Sequence, residues 1–224
     1  MVDSSRRPPG PALEPELAEH GEPDEQLNLL VWRFPVPLLA VSSGPLGGGL
    51  GPRRWVINAQ VPHTYARLDP EVHLAELASA RGLEGPGVGM LTAVDLRTVC
   101  KEEDGGAEVY VSVGVTLPTW AAAPDDAGDE RLPVGTINIV GVVPERLSPA
   151  AMVNAVMSVT EAKTQGLWDA GVRATGTASD AVCLACLDTG PEHPFGGPRS
   201  PWGARLARAV HRAVVAGCGG GAGS

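Results

Sequence analysis

The chain has 224 residues and a net charge of −9, which is enough length for one large domain and the wrong sign for a protein whose main partner is a phosphate backbone. Residues 1–27 carry seven acids against Arg6 and Arg7 alone, so the rest of the chain is close to neutral. A hydrophobic fraction of 43% can build a core, and 29 glycines with 21 prolines in no periodic pattern exclude collagen and point to long loops.

In chain order, the Pro/Glu-rich segment 1–27 is expected to be a disordered tail, followed by one domain over 28–217 and a loose glycine tail over 218–224. No internal repeat is present. Residues 29–34 and 37–42 are two apolar strand segments split by prolines, and the glycine run 44–51 follows them. Segment 54–61 reads as a strand and 70–80 as a short helix. The stretch 88–96 is apolar with Thr92 and Asp95 set inside it, 108–116 alternates as a strand, and 121–131 is a polar loop. Segment 134–143 is almost continuously apolar between Pro133 and Pro144, the pattern of a strand buried on both faces.

The clearest helix comes next: Ser148 suits the N-cap, Pro149 the first turn, and Gly171 the stop. At about 100° per residue Met152, Val153, Val156, Met157, Val159 and Leu167 share one face, with Asn154, Ser158, Glu161 and Gln165 opposite. Lys163 breaks the division by projecting beside Met152. Segment 181–187 is a further buried strand and 202–215 a final amphipathic helix. These elements predict an α/β (or α+β) fold, a single domain with a mostly buried sheet covered by helices.

Few motifs stand out by spacing. No apolar run approaches the roughly 18 residues of a membrane helix, and the N-terminus lacks the apolar stretch of a signal peptide. Four cysteines in a chain of this size do not suggest a disulfide framework. The expectation is a cytoplasmic protein without nucleic acid or membrane as partner. The glycine run is neither a P-loop nor a dinucleotide fingerprint; it is a flexible turn or a nest for close backbone approach. Cys183 and Cys186 have CxxC spacing but lie in a strand, where they point to opposite faces, so they read as core residues and no metal site is assigned. His63 and His193 lie in loops from which a site could recruit them. Lys163 either snorkels or is paired inside a site. Asp180 is either a turn residue or a carboxylate at a strand edge.

Six ordered segments carry a resemblance that spacing does not: Ser42-Ser43-Gly44 through Gly47-Gly48-Gly49-Leu50; Val56-Ile57-Asn58; Val88-Gly89-Met90-Leu91-Thr92-Ala93; Gly135-Thr136-Ile137-Asn138-Ile139; Thr160-Glu161-Ala162-Lys163; and Ala174-Thr175-Gly176-Thr177-Ala178-Ser179-Asp180-Ala181-Val182. Over residues 28–215 the chain resembles the adenosylcobinamide amidohydrolase family. Segments 118–133 and 189–201 look longer or more irregular than that family's pattern. The resemblance implies hydrolysis of the amide that joins aminopropanol to the corrin ring, giving adenosylcobyric acid for corrinoid salvage and cobalamin synthesis. The corrinoid is then substrate rather than cofactor, no resident cofactor is implied, and the metal requirement and oligomeric state stay open.

An amide hydrolase needs an activated nucleophile, a donor for the oxyanion and an acid for the leaving amine. Asp180 or Glu161 is expected as the base acting on water, with Lys163 or a loop amide at the oxyanion. Ser43, Asn58, Thr92, Thr136, Asn138 and Thr177 are expected as polar substrate contacts, and Gly47, Gly48 and Gly49 as the place where backbone approaches the ring. Two alternatives remain: a corrinoid-binding protein without turnover, and an amidase with Ser42 or Ser43 as nucleophile.

Overall fold

Pro35 and Pro37 do not end a strand. In the computed structural model, which describes residues 14–21, 26–124 and 135–220, one strand, β2, runs through both prolines over Leu27–Ser42. Residues 35–37 are exposed, and the register against the neighbouring strand shifts between Arg33 and Leu38. An irregularity on the solvent side tolerates the missing N–H groups. It also bends β2, so that its first half and its second half serve different parts of the sheet.

The elements in order are β1 (Glu16–His20), β2, β3 (Gly49–Gln60), α1 (Pro70–Ala80), β4 (Gly87–Thr92), β5 (Cys100–Asp104), β6 (Ala107–Gly114), β7 (Thr136–Val143), α2 (Pro149–Asp169), β8 (Ala181–Cys186) and α3 (Pro201–Gly220). The mixed sheet has the order β4-β3-β2-β8-β7-β6-β5, with β1 beside β2. The parallel pairs are β3 with β4, joined through α1, and β7 with β8, joined through α2. The predicted α/β domain with helices covering a buried sheet is what the chain forms.

The sheet folds back on itself. Trp32 of β2 meets Tyr110 of β6 edge to face at 5.5 Å, and the Asn58 amide on β3 reaches Ser112 on β6. Strands that are not ladder neighbours thus face one another across an inner layer built from Leu30, Trp32, Val56, Met90, Val140 and Cys183. A second apolar layer, including Ile137, Ile139, Val159, Leu167, Leu206 and Val210, lies between β5–β8 and the helices α2 and α3. A third, around Ile57 and Leu74, lies under α1. Each fully buried Val, Leu or Ile contributes about 1.5–3 kcal/mol of transfer free energy. Strict alternation along β7, with Val140 on the inner layer and Ile137 and Ile139 on the outer, explains why its sequence reads as continuously apolar.

Two tail expectations differ from the structure. Residues 16–20 form β1, pairing Glu16 with Val31 through His20 with Leu27 and burying Ala18. An open side of β2 gives this acidic stretch backbone partners that its composition does not announce. The last helix also continues past residue 217 to Gly220. Residues 1–13, 22–25, 125–134 and 221–224, including most of the loop expected at 121–131, lie outside the described residues. No helix among the described residues is long and apolar enough to cross a membrane.

Candidate active site

The lysine on the apolar stripe is paired. Helix α2 begins where Ser148 accepts from Ala151 N at 3.0 Å, and that fixed start sets the direction of every side chain along it. Fifteen residues on, Lys163 points inward beside Ala162 and Leu167 and is 7% exposed. Its Nζ lies 2.5 Å from Asp180 Oδ2. A lysine this enclosed is held by its partner rather than by water.

Asp180 gathers the surrounding backbone. Its Oδ1 accepts from Ile137 N at 2.9 Å and from the Thr177 hydroxyl at 2.5 Å, and its Oδ2 accepts from Thr177 N at 3.1 Å as well as from Lys163. One carboxylate therefore ties the 174–180 loop, the start of β7 and helix α2 together. Gly176 is required above the pair, because a Cβ there would overlap both Asp180 Oδ2 and Lys163 Nζ. With four donors satisfied, Asp180 is better built to hold this junction than to take a proton from water.

A polar mouth opens beside the junction, where β3, β4 and β6 end and β7 and β8 begin. The Asn138 amide donates to Asn58 Oδ1 and to Leu91 O, both at 2.8 Å, and Asn58 donates to Ser112 Oγ at 3.2 Å. Asn58, Ser112 and Asn138 are each at most 2% exposed, so this network is part of the interior. Asn138 Oδ1 is buried and has no partner among the described residues. Thr136 Oγ1 lies 2.7 Å from Ser179 Oγ, which also reaches Gly135 O at 3.2 Å. A cavity of about 210 Å³ is lined by His63, Asp95, Gly114, Thr116, Gly135 and Thr136, among others. Lys163 and Asp180 do not line it; they sit behind its Gly135–Thr136 wall.

The other expected residues distribute unevenly. Thr92 is buried at the end of β4, its hydroxyl accepting from Val94 N at 3.1 Å. Ser43 Oγ accepts from Val182 N at 3.0 Å, fastening the end of β2 to β8, and Ser42 Oγ accepts from Gly44 N at 2.9 Å. Glu161 faces solvent on α2, two residues and about 200° around the helix from Lys163, so it does not join the junction. Gly47, with φ of +68°, packs against the carbonyl of Gly87 and borders a separate cavity of about 560 Å³ with Arg53, Trp55 and residues of α1. Gly48 and Gly49 are exposed beside it. Arg53 donates to the Gly47 carbonyl at 2.9 Å. The glycine run is thus apart from the Asn58–Asn138 mouth.

Cys183 and Cys186 face the inner and outer apolar layers respectively, and burial pushes the Cys183 thiol up to about 12. Over the loop above Lys163, Thr119 exchanges backbone bonds with Gly176 and Thr175, which brings Trp120 against Trp168 at 5.9 Å. Sequence reasoning singled out neither tryptophan, because their contact joins chain segments far apart in number. A polar residue within an apolar run, as at Asn58 and Asn138, was the one available signal for the mouth.

A family model described as adenosylcobinamide amidohydrolase matches residues 14–220. The chain is 34% identical over 187 residues to a protein of Methanosarcina mazei named adenosylcobinamide amidohydrolase, covering 80% of this chain and 88% of that one. A Halobacterium salinarum protein of the same name is 34% identical over 116 residues, half of each chain. Among solved structures, the PH0078 protein of Pyrococcus horikoshii superposes with a TM-score of 0.52 at 11% identity, covering 92% of this chain and 83% of that one. That last likeness concerns the fold alone.

Proposed function

The chain belongs to the adenosylcobinamide amidohydrolase family, and on that ground we propose that it hydrolyses the amide joining aminopropanol to the corrin ring of adenosylcobinamide, releasing adenosylcobyric acid and the free amine. The observation that carries this reading is that the family match runs through every residue of the mouth and of the Lys163–Asp180 junction. The chemistry of the mouth supports it. A neutral amide arm asks for neutral donors and acceptors, and Thr136 with the backbone of Gly114 and Gly135 offers such groups on the cavity wall.

In this reading the arm enters the cavity while the macrocycle stays at its rim. Thr136, on the cavity wall, donates to a carbonyl of the arm, and Asn138, two residues on and buried, holds this end of β7 against β3 and β4. Asn58 and Thr92 hold the strand ends that shape the cavity, and Thr177 holds the carboxylate. Ser43 keeps β2 against β8 at its edge. Lys163 donates to Asp180, and through that carboxylate, which also holds Ile137 N, it fixes the start of β7 and so positions Thr136 on the cavity wall. Gly47, Gly48 and Gly49 contact the substrate only if the macrocycle reaches beyond β4.

The test is direct. Purified protein incubated with adenosylcobinamide should give adenosylcobyric acid and 1-aminopropan-2-ol by mass spectrometry. No product across a range of pH and added divalent metals, with corrinoid binding retained, would overturn the reading.

A further inference from the structure

Amide hydrolysis requires a group that takes a proton from water and returns it to the leaving nitrogen. The residues around the mouth leave few candidates. Asp180 has both oxygens occupied by Ile137 N, Thr177 N, the Thr177 hydroxyl and Lys163. Glu161 is on the outer face of α2. Asp95 lines the cavity, but Arg97 holds it through Nε and Nη2 at 2.9 and 2.6 Å, and the Arg97 backbone N–H adds a third bond at 3.0 Å. The Arg97 guanidinium keeps the Asp95 carboxyl below the usual carboxylate range, so it stays an anion and has no proton to give. Among the described residues, the remaining titratable side chain on the cavity wall is His63, placed there by the backbone bond from Val61 N to Thr92 O that joins the end of β3 to the end of β4.

We propose that His63 is the proton-transferring catalytic residue of this site, working across the cavity from Thr136. The proposal rests on the amidohydrolase reading above. Imidazole is suited to the task because it serves as base and acid in turn near neutral pH. His63 removes a proton from a water in the cavity as the oxygen forms a bond to the amide carbon. The carbonyl π electrons move onto oxygen, giving the tetrahedral anion. The imidazolium then gives that proton to the amide nitrogen as the C–N bond breaks and the anion's electrons restore the carbonyl. The products are the carboxylic acid and the primary amine, and the imidazole is regenerated.

The experiment compares wild type, His63→Ala and His63→Gln with adenosylcobinamide, measuring kcat and KM by mass spectrometry and corrinoid affinity by absorbance titration. His63 is exposed, so both variants should melt within a few degrees of wild type. The expected result is a kcat lower by roughly 10²–10⁴-fold, affinity within about threefold of wild type, and partial recovery of His63→Ala by imidazole in the buffer, with no recovery of His63→Gln. Turnover of either variant within about threefold of wild type overturns the proposal, as does a loss of affinity that matches the loss of turnover. Wild type without turnover removes the underlying activity and this step with it, whereas an active wild type beside an active His63→Ala removes this step alone.

Discussion

Removing either member of the Lys163–Asp180 pair has unequal consequences. Lys163→Met keeps the apolar stem, and Asp180 retains three donors from Ile137 and Thr177. The variant should therefore fold, with a lower melting temperature, while turnover drops by up to about 10²-fold as the Gly135–Thr136 wall loses its support. Asp180→Ala strands the buried ammonium and releases the Ile137 and Thr177 N–H groups together, so it should lose about 3–5 kcal/mol. Urea titration of both variants, read beside turnover, checks the order; equal losses of stability would show that the other three donors contribute nothing. The position of Lys163 on the helix was legible from the wheel alone, but its partner was not, since Asp180 lies beyond the helix end and across a loop. Asn58 and Asn138 were visible as polar interruptions of apolar strands. That they bond to each other follows only from the folded sheet.

At the level of elements, helices were easier to read than edge strands. The bounds of α1 and the start of α2 follow from Pro70, Ser148 and Pro149, residues with local reasons for their places. Ser148→Ala should cost about 1 kcal/mol through the lost Ala151 bond, measurable as a lower urea midpoint, and no change would mean that water replaces the cap. Strand β5, Cys-Lys-Glu-Glu-Asp, gave no apolar signal because it is the outermost strand and its acids serve α3: Asp104 meets Arg208 at 2.6 Å and Arg212 at 3.3 Å, and Glu102 meets Arg212 at 2.9 Å. Arg208, then Arg212, hold the Asp104 carboxyl below its ordinary range. The folded state thus binds fewer protons than the unfolded one as pH falls below the carboxylate range, and the contribution present above that range is lost as pH drops through the folded value. Solvent screening keeps the contribution of each pair small. Asp104→Asn should melt lower than wild type at neutral pH, and the gap should close in acid; a constant gap would assign the loss to packing.

For the whole molecule, the sequence showed the class of fold but not the folding of the sheet. Alternation identifies which residues are buried, whereas the stacking of β3 on β6 and β7 joins residues such as Asn58 and Ser112 that nothing local connects. The division of labour follows from that stacking: the inner layer supplies the mouth, and the outer layer beneath α2 supplies the cation behind it. A small amide carrying only the aminopropanol arm should fit the cavity yet turn over far more slowly than adenosylcobinamide, since the binding energy of the ring is absent. Kinetics with such a model compound check this, and comparable kcat for both would show that the ring takes no part in reaching the transition state.

A space of about 210 Å³ corresponds to the bulk volume of about seven water molecules. On the reading proposed above, the arm displaces solvent from this space, so solvent release and contact with the limb belong to the cavity, while grip on the body of the ligand belongs to the outer surface. These two contributions are physically separate. Changes at the rim would therefore alter which macrocycles are retained, and how much of their binding energy reaches the transition state, while the residues inside the cavity stay the same.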